Sequence, residues 1–105
     1  MPTRQPDELA AILLQRGDLI VDRGTGAITR RDGTRAEHLD RRDGTGRVVV
    51  HHRPRVIAAA HRIVWIAVHG HIPPDARIRH ANGMRWDNRP TNLRLYTPST
   101  RSATT

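Results

Sequence analysis

The stretch from His61 to Leu95, HRIVWIAVHGHIPPDARIRHANGMRWDNRPTNLRL, limits what this chain can fold into more than any other. Ile63, Val64, Ala67 and Val68 recur at the three- and four-residue spacing of an amphipathic helix, widened by Trp65 or Ile66. They predict a helix over residues 59–69, closed by Gly70. Ile72, Pro73 and Pro74 make a rigid connection. Arg77 to His80 reads as a short strand, Asn82-Gly83 as a tight turn and Met84 to Trp86 as the returning strand. Asn88 precedes Arg89-Pro90, where its side chain can cap a helix whose first turn holds the proline. Asn92 falls one turn further on. His80, Asn88 and Asn92 are the side chains in this stretch best suited to carry chemistry.

The residues before it read as short elements broken by turns. Pro6, Asp7 and Glu8 suit a helix start, Leu9, Ile12 and Leu13 give it an apolar face, and Gly17 ends it. Leu19–Val21 and Ala27–Arg30 predict a hairpin turning through residues 23–26. Residues 31–46, RDGTRAEHLDRRDGTG, have no apolar period and are expected to be a loop. Arg30 at its edge and Arg31, Arg35, Arg41 and Arg42 within it are either DNA-backbone contacts or a solvated surface whose carboxylates partly cancel them. Residues 47–58 predict a second hairpin with Pro54 at its turn. His51 and His52 are neighbours on a strand and so point to opposite faces, which suits surface positions better than a metal pair. His69 and His71 flank Gly70 without a third ligand nearby.

Short helices alternating with short strands predict an α+β fold in one small domain. The expected division is residues 1–46 (helix, hairpin and basic loop), 47–97 (hairpin, helix and site) and a 98–105 tail. The chain has 105 residues and no cysteine, which excludes a disulfide framework and a cysteine-based zinc site. No apolar run approaches the roughly 20 residues of a membrane span, and the N-terminus lacks the order of a secretory signal, so the expected location is cytoplasmic. All 18 basic residues are arginine, and the net charge is +8. Arginine binds phosphate through a planar fork of donors, so duplex DNA is the expected partner. With only three aromatic residues for base stacking, RNA fits less well.

The same stretch resembles the HNH endonucleases, in the His-Asn-Asn form of small phage and homing nucleases. The resemblance runs through Ala60-His61-Arg62-Ile63-Val64-Trp65, Gly70, Ile72-Pro73, His80, Asn82-Gly83, Asp87-Asn88-Arg89 and Asn92-Leu93-Arg94. It implies a ββα-metal motif and metal-dependent hydrolysis, by nicking or cleavage, of phosphodiester bonds in duplex DNA. Carried over, His80 is the general base, Asn88 holds the catalytic loop, and Asn92 ligates a single divalent cation, Mg²⁺ or Mn²⁺. Arg77, Arg79, Arg85, Arg89 and Arg94 are the expected DNA contacts, and His61 has an orienting or packing role. One residue departs from the pattern: where the family carries a metal-binding aspartate before the histidine, this chain has Arg79. Arginine cannot ligate a cation and repels one, so the resemblance also implies weakened metal binding. The alternative is a catalytically impaired, DNA-binding member or regulator on the same scaffold.

Overall fold

The computed structural model describes residues 5–97, and the expected 98–105 tail lies outside them. Helix α1 spans Pro6–Arg16, with Pro6 in its first turn and Asp7 and Glu8 at its positive end. Gly17 stops it at φ 80°, a left-handed conformation that suits glycine. The Gly17 N–H donates to the Leu14 carbonyl at 3.2 Å and the Asp18 N–H to Leu13 at 2.9 Å, which satisfies carbonyls left open by the helix end.

Strands β1 (Leu19–Val21) and β2 (Ile28–Arg30) form the first antiparallel hairpin, with Ile20 opposite Thr29. Its connection is built by Asp22: the backbone closes from Asp22 N–H to Ala27 at 2.9 Å, and the Asp22 carboxylate accepts the N–H groups of Gly24 and Thr25. The same construction recurs at Asp40, whose N–H reaches Thr45 at 2.9 Å while Gly44 N–H returns to Asp40 at 2.8 Å. This second turn joins β3 (Glu37–Leu39) to β4 (Gly46–His52). Residues 31–46 are therefore not a loop throughout. They contain a strand whose outer residues, His38 and Leu39, are exposed, so no apolar alternation marks it. Strand β5 (Arg55–Ala59) completes a three-stranded sheet in the order β3-β4-β5, with a bulge between Val49 and His51. His51 and His52 are exposed at its turn.

Helix α2 (Ala60–His69) buries Ala60, Ile63 and Val64 and ends at Gly70. Helix α1 packs on α2, β1, β4 and β5, and the core gathers Ala10, Leu19, Ile28, Val48, Ile63, Val64, Ile78 and Leu93. No helix among the described residues is long and apolar enough to cross a membrane.

The α+β architecture is as expected, but the last ribbon is threaded differently. Strand β6 (Arg77–His80) pairs with β7 (Leu93–Tyr96), not with Met84–Trp86. The loop after His80 closes on itself: Asn82 Oδ1 accepts the Met84 N–H at 2.9 Å, Asn82 Nδ2 donates to Asp87 at 2.9 Å, and the Asp87 N–H donates to Met84 at 3.1 Å. Met84 and Trp86 stay exposed and join no ladder. Pro90 opens one 3₁₀ turn, Pro90–Asn92, rather than an α-helix, and no side chain caps it. The period-two pattern of Leu93-Arg94-Leu95-Tyr96 continues as a strand because it buries Leu93 and sets it opposite His80.

Candidate active site

His80 ends β6 and is partly buried between that strand and α2. Pairing with β7 puts Ile78, His80, Leu93 and Leu95 on one face of the ribbon and Arg77, Arg79, Arg94 and Tyr96 on the other. The inner face meets α2, where His61 sets its ring edge-on to His80, with 5.1 Å between centroids. His61 Nδ1 is buried without a hydrogen-bond partner among the described residues. Burial, followed by the neighbouring His80, lowers the His61 pKa to about 4, so the ring stays neutral in the fold.

The loop that returns from His80 brings Asn88 back onto it. His80 Nε2 lies 2.7 Å from Asn88 Oδ1, and Asn88 is only 4% exposed. Asn88 does not cap the following turn as the sequence suggests. Its amide is spent instead between His80 and Glu37, whose Oε2 accepts from Asn88 Nδ2 at 3.3 Å. Two glycines allow this packing. A methyl on Gly26, in the first hairpin turn, would sit 2.0 Å from the Asn88 carbonyl oxygen, and one on Gly46 would sit 2.0 Å from the Glu37 carboxyl. Glu37 is 8% exposed, and burial pushes its carboxyl up, tempered by Arg35 and by the Asn88 bond.

Asn92 straps the loop. Its Oδ1 accepts the Asn82 N–H at 3.1 Å, and its Nδ2 donates to Asn82 Oδ1 at 3.0 Å and to the Asp87 carbonyl at 2.9 Å. Its carbonyl also accepts the Ala81 N–H at 2.7 Å. The three motif residues thus converge on one loop, with Asn88 directly on His80 and Asn92 fixing the loop between them.

A cleft of about 370 Å³ opens beside His80, lined by Thr45, His61, Arg79, His80, Gly83 and Arg85. A larger groove of about 990 Å³ runs between α1, β5 and Pro73-Pro74 and contains none of His80, Asn88 and Asn92, so chemistry rather than size marks the site. The arginines differ in availability. Arg79 stacks 4.1 Å over the Tyr96 ring, sharing the outer ribbon face with Arg77 and Arg94. Arg94 also donates to the Thr91 and Leu93 carbonyls, and Arg85 NH1 reaches the Asp43 carbonyl at 3.5 Å. Arg89 is held by Asp87 at 2.8 Å, and that bond is the main cause that lowers the Asp87 pKa to about 2. In the N-terminal half, Arg31 is tied to Asp18, and Arg42 and Arg47 to Asp40, so two of the five arginines expected to meet DNA there are internally paired.

The donors present do not fit a hard divalent cation. Among the described residues no three His, Cys, Asp or Glu side chains gather into a metal-binding group. The cleft lining has two guanidinium groups and no carboxylate. Asp87 is engaged by Arg89 and Asn82, and the Asn92 amide is committed to the loop. A Mg²⁺ ion takes its protein ligands from carboxylates, and none is free here.

Sequence reasoning missed Glu37 and the two glycines. The signal for them was the repeated turn, Asp22-Arg-Gly-Thr-Gly and Asp40-Arg-Arg-Asp-Gly-Thr-Gly, which marks a second hairpin and so a strand at Glu37.

Two comparisons with known proteins give a match. Residues 58–103 match the family model described as HNH endonuclease. The fold is similar to the structure reporting DNA binding and cleavage by the HNH homing endonuclease I-HmuI, at a TM-score of 0.65 and 23% identity. The alignment covers 84% of this chain and 51% of that one, so the chain spans about half the length of that endonuclease. A search of curated protein sequences gives no match.

Proposed function

We propose that this chain, whose residues 58–103 match the family model described as HNH endonuclease, binds duplex DNA and hydrolyses phosphodiester bonds with His80 as general base. The observation that carries this reading is the 2.7 Å contact between His80 and the buried Asn88 amide, which holds the imidazole at the mouth of an arginine-lined cleft. A base works when its lone pair is fixed within reach of the proton it removes. In this reading His80 takes a proton from water as the water oxygen attacks phosphorus and the bond to the leaving sugar oxygen breaks. Asn88 sets the ring, and Asn92 keeps the loop closed beneath it. Arg77, Arg79 and Arg94 meet the DNA backbone as one face, Arg85 lies at the cleft, and Arg89 contributes less because Asp87 neutralises it.

HNH nucleases generally use a divalent metal, with Mg²⁺ or Mn²⁺ the candidates, and the described residues assemble no site for one. That favours a second reading: a DNA-binding protein on the HNH scaffold with little or no cleavage. Plasmid nicking separates the two readings. Supercoiled DNA is incubated with Mg²⁺, Mn²⁺ or EDTA, using wild type and His80→Ala. The first reading expects metal-dependent nicking that His80→Ala abolishes. DNA binding without nicking in any metal supports the second.

A further inference from the structure

Glu37 has no part in the reading above. It is a buried carboxyl at the start of β3, outside the segment matched by the family model and 51 residues before Asn88. Among the described residues it forms no ion pair within 4.0 Å, although a buried carboxyl without one is costly to keep. A leucine would bury more comfortably at this position, so stability alone does not call for glutamate.

Its bonding partner suggests what it does. A side-chain amide has one end that accepts and one that donates. As a carboxylate Glu37 offers Asn88 only lone pairs, so it takes the Nδ2 end at 3.3 Å. The Asn88 Oδ1 end is then the one left for His80, 2.7 Å away. An oxygen there can only accept, so the ring nitrogen it faces must donate. The orientation of one amide therefore decides which nitrogen of His80 carries the hydrogen. The Gly46 cradle keeps the carboxyl in place, because any side chain there would push it away from Asn88.

We infer that Glu37 is a positioning residue that, by orienting Asn88, locks His80 as the Nε2–H tautomer and leaves Nδ1 as the basic nitrogen. The consequence for catalysis rests on His80 being the base, but the tautomer does not. It follows that β3 and β4 belong to the working site, and that the matched segment expressed alone would lack the group that sets its base.

The test is long-range ¹H–¹⁵N spectroscopy of the histidine rings at pH 8, on the full chain and on Glu37→Gln, Glu37→Leu and Glu37→Ala, with folding checked by circular dichroism. Wild type should show His80 as a single Nε2–H tautomer. Glu37→Gln should keep it, because its amide oxygen can still accept from Asn88. A folded Glu37→Leu or Glu37→Ala should mix the two tautomers. Wild type carrying its hydrogen on Nδ1 overturns the inference without any variant, and so does a folded Leu or Ala variant that keeps the single tautomer. In the nicking assay, Glu37→Leu should lose about 10- to 100-fold in rate with DNA affinity unchanged, and Glu37→Gln should restore it. If wild type nicks no DNA, the catalytic reading of His80 falls while the spectra still decide the role of Glu37.

Discussion

Replacing Gly26 with alanine tests how closely the first hairpin is set against the site. Gly26 has φ 78°, and a methyl there would lie 2.0 Å from the Asn88 carbonyl oxygen and 2.4 Å from its carbon. Gly33 is the natural control, with φ 88° and nothing within 4 Å of an added methyl. The left-handed backbone costs alanine about 1–2 kcal/mol at either position, offset by roughly 0.4–1 kcal/mol from a stiffer unfolded chain. Gly33→Ala should therefore lose about 1 kcal/mol. At Gly26 the obstacle is backbone, which cannot turn aside as a side chain can, so overpacking adds about 1–3 kcal/mol. The expected loss is about 2–4 kcal/mol, a large part of the 5–15 kcal/mol typical of a folded domain. Urea unfolding of both variants reads the difference, provided the slope with denaturant stays constant. The amide signals of Asn88 and Arg89 should move in Gly26→Ala and stay in place in Gly33→Ala. Equal losses in the two variants would refute the close approach of hairpin and site.

Three further outcomes are expected. The His61 pKa, lowered from 6.5 to about 4 chiefly by burial, means that the unfolded chain takes up this proton first as pH falls. Its contribution to stability is full above pH 6.5 and is lost as pH falls towards 4, by about 3 kcal/mol at roughly 1.4 kcal/mol per pH unit. His61→Phe should flatten that part of the stability–pH curve, and an unchanged curve contradicts the burial argument. Asn92→Ala removes three side-chain hydrogen bonds from the loop and should cost about 2–4 kcal/mol, with faster hydrogen exchange at Asn82. Unchanged exchange at Asn82 would show that Asn92 is not the strap. Arg77→Ala/Arg79→Ala/Arg94→Ala should make the salt dependence of duplex binding shallower by roughly 3 in log–log slope. Arg89→Ala should change the slope by well under the roughly 1 expected of each of these arginines, and a full change of about 1 would contradict its neutralisation by Asp87.

Much of the fold was legible where periodicity and stop signals agree. Helix α1 with Gly17, the β1–β2 hairpin, the β4–β5 hairpin and helix α2 with Gly70 all follow from apolar spacing closed by a turn residue. Strand β3 did not follow, because its inward residue is Glu37 while His38 and Leu39 face solvent. Strand β7 was hidden for a different reason. Pro90 after Asn88 reads as a helix start, yet pairing β6 and burying Leu93 outweigh that local preference after a single turn. The site was half legible. His80 and Asn88 lie eight residues apart on one returning loop, and the resemblance to the HNH pattern is what singled them out. Glu37 reaches Asn88 only through the tertiary packing of a strand that the sequence pattern conceals.

The most direct test of the central claim is cleavage by Arg79→Asp. In the proposed mechanism His80, Asn88 and Asn92 set one loop for hydrolysis, and Arg79 limits it by putting a cation where the HNH pattern has an anionic ligand. Each 1.4 kcal/mol of metal affinity regained is roughly tenfold in binding. Arg79→Asp should therefore nick supercoiled DNA faster than wild type at low Mg²⁺ or Mn²⁺ and bind Mn²⁺ more tightly in the absence of DNA. Arg79→Asp/His80→Ala should keep the binding and lose the nicking. A folded Arg79→Asp that gains neither cleavage nor metal binding would contradict the claim.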